Sequence, residues 1–108
     1  MIARHWRGWT TVANAGAYEA HLKEKVLLGL KNNPGYLGGY VLRRDVSGEV
    51  EFVVINLFDS LSAVQAFAGP DYSASHFEPE ARLILAKVEP LAYHYEVCAS
   101  MTTIPHPE

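Results

Sequence analysis

The sequence predicts a single α+β domain of the ferredoxin-like β-α-β-β-α-β type, and three observations carry that prediction. Segments rich in β-branched and aromatic residues at 2–10, 36–45, 50–58 and 90–97 read as strands. Between the first two, Tyr18, Leu22, Val26 and Leu30 recur every four residues, the apolar stripe of an amphipathic helix. Between the last two, Leu61, Val64 and Phe67 repeat helical spacing. The length of 108 residues fits one domain, and a 49% apolar share is enough to fill its core. Two right-handed crossovers in this order give a four-stranded antiparallel sheet with helices on one face. The other face is left bare, and a second copy of the chain is its simplest cover.

Residues 2–10 alternate. Ile2, Arg4, Trp6 and Gly8 share one face, and Ala3, His5, Arg7 and Trp9 share the other. Each face carries a large ring, so both are expected to be covered in part. Asn14 is placed to cap the first helix, and Asn32-Asn33-Pro34-Gly35 ends it, since proline cannot continue a helix. Ser47-Gly48 is the tight turn of a hairpin joining residues 36–45 to 50–58. The second of these strands is apolar almost throughout, as a strand covered on both faces would be. Gly38-Gly39 leaves a gap in the side-chain layer where a bulge or a ligand could sit. Asp59 or Ser60 caps the second helix and Gly69-Pro70 stops it. A polar, aromatic connector follows. Pro79 then opens a third helix with Ala81, Leu83, Ile84 and Leu85 as its apolar positions. The domain is placed at 1–98, with 99–108 an irregular tail.

Several function classes are excluded. The net charge is -3, and Arg43-Arg44 is the densest basic pair, so no stripe for nucleic acid is visible. No apolar run reaches the roughly 18 residues of a membrane span. Residues 1–7 are too interrupted by charge for a signal peptide, and the single cysteine, Cys98, suits a reducing cytoplasm. The five histidines show no H-x3-H or HExxH spacing, so no metal site is expected. Neither a GxGxxG nor a Walker sequence occurs.

Seven residues are candidates for a site. His76, in the connector, is either a solvated loop histidine or a base, donor or axial ligand aimed into a pocket, with Tyr72 and Phe77 as its wall. His94 shares a strand face with Ala92 and Glu96. It is either a half-buried sheet histidine bonded to Glu96 or a neighbouring strand, or a general base tuned by burial and that carboxylate. Trp6 suits core packing, and equally a flat aromatic ligand. Arg4 beside it can pair with an anionic ligand, but a surface or dimer salt bridge is the simpler expectation. Asn56 is the polar exception in an apolar strand and must be hydrogen-bonded, within the fold or to a ligand.

The segments Ile2-Ala3-Arg4-His5-Trp6-Arg7-Gly8-Trp9, Val53-Val54-Ile55-Asn56-Leu57-Phe58-Asp59-Ser60-Leu61 and His94-Tyr95-Glu96-Val97 resemble the antibiotic biosynthesis monooxygenase family, over about residues 1–98. The resemblance implies a homodimer, a dimeric α/β barrel in which two sheets face each other, with a pocket in each subunit between sheet and helices. It implies oxidation of an aromatic or quinone-like small molecule by O2 without a cofactor. His76 and His94 then act as catalytic residues, and Trp6, Arg4, Asn56, Tyr72 and Phe77 bind the substrate. A related branch degrades haem with a His after the second helix, an Asn on the first strand and a Trp near the end of the third. Here His76 falls near that His, His5 or Arg4 stands near the Asn, and Phe58 replaces the Trp. Haem or small-ligand binding and a non-catalytic structural dimer are the alternative readings.

Overall fold

The computed structural model describes residues 1–75 and 79–101. Strand β1 (Ile2–Thr11) is followed by helix α1 (Ala15–His21), a π-helical turn (Leu22–Val26) and α2 (Leu27–Leu30). The hairpin β2 (Tyr36–Val46) and β3 (Glu49–Phe58) comes next, then α3 (Leu61–Ala68), α4 (Pro79–Ile84), β4 (Leu85–Val88) and β5 (Tyr93–Glu96). The strands lie in the order β2-β3-β1-β4, with β5 also on β1, and all pairs are antiparallel. This is the expected ferredoxin-like plan, with one difference.

The predicted last strand, 90–97, narrows to β5, and an unpredicted strand, β4, precedes it at Leu85–Val88. β4 pairs with Gly8 to Thr10, and β5 pairs with Ile2 to His5 along the same edge of β1. Pro90 lies in the break and has no N–H for the ladder. The connector fills the gap: Ser75 N–H donates to Pro90 O at 3.0 Å, and Ala92 N–H to Ser73 O at 2.9 Å. The sheet therefore has five strands instead of four. The third helix is correspondingly shorter, because Leu85 opens β4, and Leu83 points outward at 87% exposure.

Local rules explain the rest. Ser47 (φ 48°) and Gly48 (φ 84°) both take positive φ, as the tight turn between twisted strands requires. Ser60 Oγ accepts from Ala63 N–H at 3.2 Å and caps α3, whose end is marked by Gly69 at φ 86°. Asn14 occupies the cap position of α1 without capping through its side chain, which instead donates to Ile84 O at 3.3 Å.

The face parity of β1 holds. Arg4, Trp6, Gly8 and Thr10 are buried against the helices, as are Val50, Phe52, Val54, Asn56 and Phe58 of β3. A Cβ at Gly8 would sit 2.6 Å from the Trp6 ring, so the indole lies flat across the strand where only glycine leaves room. The opposite face is not fully covered. Val53, Ile55 and Leu57 are half-buried there, and Tyr40, Leu42, Tyr93 and Tyr95 are 47–59% exposed. The expectation that β3 is covered on both faces thus holds on its helix side alone within one copy of the chain.

Candidate functional site

Helices and sheet enclose a cavity at the N-terminal half of β1. It is lined by Arg4 and Trp6 of β1, Tyr18 and His21 of α1, Val54 and Asn56 of β3, and Phe67 of α3, with Leu22, Val26 and Ala81 beside them. Its volume is about 40 Å3, room for roughly one or two waters.

Arg4 is the unusual member. The residue is 4% exposed, and no carboxylate among the described residues pairs with it. The simpler expectation, a surface or dimer salt bridge, is thereby corrected: the alternation that puts Arg4 beside Trp6 also buries it. Its guanidinium donates to the carbonyls of Tyr72 and Ala74, the latter at 3.2 Å, and lies 5.6 Å from the centre of the Phe67 ring. Carbonyl dipoles and a ring face steady a cation but do not neutralise it. Burial accordingly pushes the Arg4 pKa down to about 10, which still leaves it charged at neutral pH.

His94 stands 3.0 Å from Arg4 Nη1 through its Nε2. A guanidinium can only donate, so Nε2 is the acceptor and the ring is neutral, with its proton on Nδ1. The partner of His94 is therefore Arg4 across the β1–β5 register, and not Glu96. The electrostatics follow: desolvation first, then the Arg4 charge, hold the His94 pKa below its ordinary value. The Tyr72 ring meets His94 edge-on at 5.0 Å, so Tyr72 contributes a carbonyl to Arg4 and a ring to His94.

Trp6 and Asn56 are both fixed. Trp6 Nε1–H donates to Ser75 Oγ at 2.8 Å and to Glu89 O at 2.9 Å. Asn56 Oδ1 accepts from the Tyr36 hydroxyl at 3.1 Å, across the glycine gap of β2. A Cβ at Gly39 would sit 2.4 Å from that Oδ1, so the gap admits an internal hydrogen bond. The ladder also shifts register between Tyr36 and Gly38, the bulge the two glycines suggested. His76 and Phe77 lie outside the described residues. Phe58 is fully buried among Leu30, Ala63 and Val64 and does not line the cavity.

His21 is the residue the sequence reading passed over. It is 9% exposed, lines the cavity, and its Nε2 has no hydrogen-bond partner among the described residues. An unpaired buried polar atom costs about 1–3 kcal/mol. The spacing held the signal, since position 21 lies between Tyr18 and Leu22 on the apolar stripe.

No family model matches the chain, and no curated protein matches it. Solved structures do match in fold. A candidate antibiotic biosynthesis monooxygenase from Deinococcus radiodurans superposes with a TM-score of 0.69 at 15% identity, over 97% of this chain and 100% of that one. The haem degrader MhuD from Mycobacterium tuberculosis, with two haems in its active site, superposes with a TM-score of 0.63 at 23% identity, over 94% and 100%. A candidate antibiotic biosynthesis monooxygenase from Bacillus cereus gives 0.65 at 16% identity, over 97% and 98%. At these identities the likeness is one of fold. No helix among the described residues is long and apolar enough to cross a membrane.

Proposed function

We propose that this chain, which has the fold of structures described as antibiotic biosynthesis monooxygenases, binds an aromatic or quinone-like molecule in anionic form and oxidises it with O2 without a cofactor. The observation that carries the reading is Arg4, a buried guanidinium with which no carboxylate among the described residues pairs, at the wall of a cavity faced by Trp6, Tyr18 and Phe67. An anionic oxygen supplies the missing counter-charge, and the rings take the aromatic body. Neutral His94 holds Arg4 in place. Ligand pockets commonly span roughly 300–1,000 Å3, so an occupant must displace part of the wall. Val26 and Phe67, the half-buried lining residues, are the side chains that give way to a two-ring molecule. A porphyrin is larger still and would require the helices to part from the sheet.

The chemistry rests on an electron-rich phenolate, which can itself reduce O2. With 1,4-dihydroxynaphthalene as probe, a ring carbon bonds to O2 as a hydroperoxide, and the O–O bond breaks as water leaves. The product is 2-hydroxy-1,4-naphthoquinone, with one oxygen atom in the product and one in water. Arg4 stabilises the anionic oxygen throughout. The expected result is O2 uptake above the uncatalysed rate, matched mole for mole by the hydroxyquinone. Formation of only 1,4-naphthoquinone and peroxide, at the uncatalysed rate, would overturn the reading.

The half-covered sheet face belongs to the same proposal. Tyr40 and Leu42 flank Val53, Ile55 and Leu57 on this face, Ala3 and His5 of β1 separate these from the exposed Tyr93 and Tyr95, and a second copy covers the face. Leu42 is 48% exposed in the single chain, so Leu42→Asp should leave the fold intact. Light scattering is expected to give twice 12.0 kDa for the wild type and a shift toward 12.0 kDa for the variant. A monomeric wild type at high concentration would exclude this pairing.

A further inference from the structure

We propose that His21 is the proton acceptor of this site, taking the substrate's hydroxyl proton on Nε2 as the oxygen comes to rest against Arg4. The inference rests on the oxygenase reading of the cavity and adds the residue that starts the reaction.

Among the described residues, two buried side-chain polar atoms have no partner, Thr10 Oγ1 and His21 Nε2. Of the two residues, only His21 lines the cavity, and it does so together with the buried cation. The other histidine near Arg4 is already engaged. His94 Nε2 spends its lone pair on the Arg4 guanidinium, and it would lose that bond on taking a proton. His21 has no such engagement at Nε2. Its ring is also held, stacked on Tyr18 with centroids 6.1 Å apart and 19° between planes. Directly after it the helix widens into the π-helical turn Leu22–Val26, a feature that recurs at functional sites. An anionic oxygen at Arg4 and a proton acceptor on the facing helix define the substrate: a phenol or quinol whose O–H lies between them. The O–H bond breaks, its electron pair stays on oxygen to face Arg4, and the proton moves to Nε2. Water leaving the hydroperoxide can later carry it away.

The test uses the full chain with His21→Phe and His21→Gln, folding checked by circular dichroism and thermal melting. The first probe is 2-hydroxy-1,4-naphthoquinone, already ionised at neutral pH, titrated by quenching of tryptophan fluorescence. Both variants are expected to bind it within about twofold of the wild type, because no proton has to move. The second probe is 1,4-dihydroxynaphthalene. Both variants are expected to form the hydroxyquinone at least about 100-fold more slowly. The melting temperature of His21→Phe should be unchanged or higher, since an unpaired polar atom is removed. Full rate in both variants would overturn the assignment of His21 while leaving the site itself standing. Failure of the wild type to bind or oxidise either probe would remove the site reading and His21 with it.

Discussion

Arg4→Met is expected to weaken binding of 2-hydroxy-1,4-naphthoquinone by about 100-fold or more while changing the urea midpoint little. The two halves of this expectation have separate causes. A hydrogen bond to a charged group contributes about 1.5–3 kcal/mol, and at a desolvated site the upper part of that range applies. At 1.4 kcal/mol per tenfold, that is roughly two orders of magnitude in Kd. Stability responds differently because no carboxylate among the described residues pairs with Arg4. Methionine keeps much of the apolar stem and removes a buried cation, which favours the fold. It also leaves the Tyr72 and Ala74 carbonyls and His94 Nε2 without their donor, which opposes it by about 1–3 kcal/mol each at most. These contributions are similar in size and opposite in sign.

The same variant has a signature in pH. His94 has its folded pKa held below the ordinary 6.5 by desolvation and by the Arg4 charge. The unfolded chain therefore takes up the proton first. The stability from a neutral His94 is fully present above about pH 6.5 and falls as pH drops toward the lowered folded value. Without the cation only desolvation remains, so the acid-side loss in Arg4→Met should be shallower than in the wild type. Unchanged ligand affinity, measured by fluorescence quenching, would mean that the anion does not sit on Arg4.

Strand parity made much of this site legible. Alternation from Ile2 put Arg4 and Trp6 on one face, and the isolated polarity of Asn56 in β3 marked a buried amide. Two neighbouring glycines announced the bulge. What sequence could not supply was partnership across the fold. Nothing in Tyr93-His94-Tyr95-Glu96 distinguishes a carboxylate two residues away from a guanidinium on the next strand, yet the antiparallel register decides for Arg4. The start of β4 at Leu85 was hidden for a similar reason. Ala81 to Leu85 is a short apolar run that fits a helix or a strand equally well, and only pairing of Leu85 with Thr10 settles where α4 ends. The π-helical turn leaves no trace at all, since Tyr18, Leu22, Val26 and Leu30 keep an unbroken four-residue rhythm through it. His21 was visible on that stripe, but its unpaired nitrogen is a property of the packed molecule.

Phe52→Ala is the substitution expected to cost most in stability, about 4–5 kcal/mol, near the top of the range for such truncations. Phe52 is 0% exposed and meets the Tyr18 ring edge-on at 5.0 Å, while the Arg43 guanidinium covers it from 5.6 Å. Relaxation usually softens a truncation when a neighbour can move into the space. Here the cross-strand neighbour on β1 is Gly8, which has no side chain to move. The ring that crosses Gly8 belongs to Trp6, and Trp6 is pinned at Nε1 by Ser75 and Glu89. The other cross-strand neighbour, Arg43, is tied to Glu19 at 3.0 Å. The vacated volume therefore stays largely open, next to Tyr18 and hence next to the wall of the cavity. Against a typical total of about 5–15 kcal/mol, such a loss leaves the domain close to unfolding. At about 4–8 °C per kcal/mol for a domain near this size, the melting temperature should fall by more than about 15 °C. A fall of only a few degrees would show that the core between α1 and β3 can collapse, and that the cavity beside Tyr18 is less firmly framed than Phe52 implies.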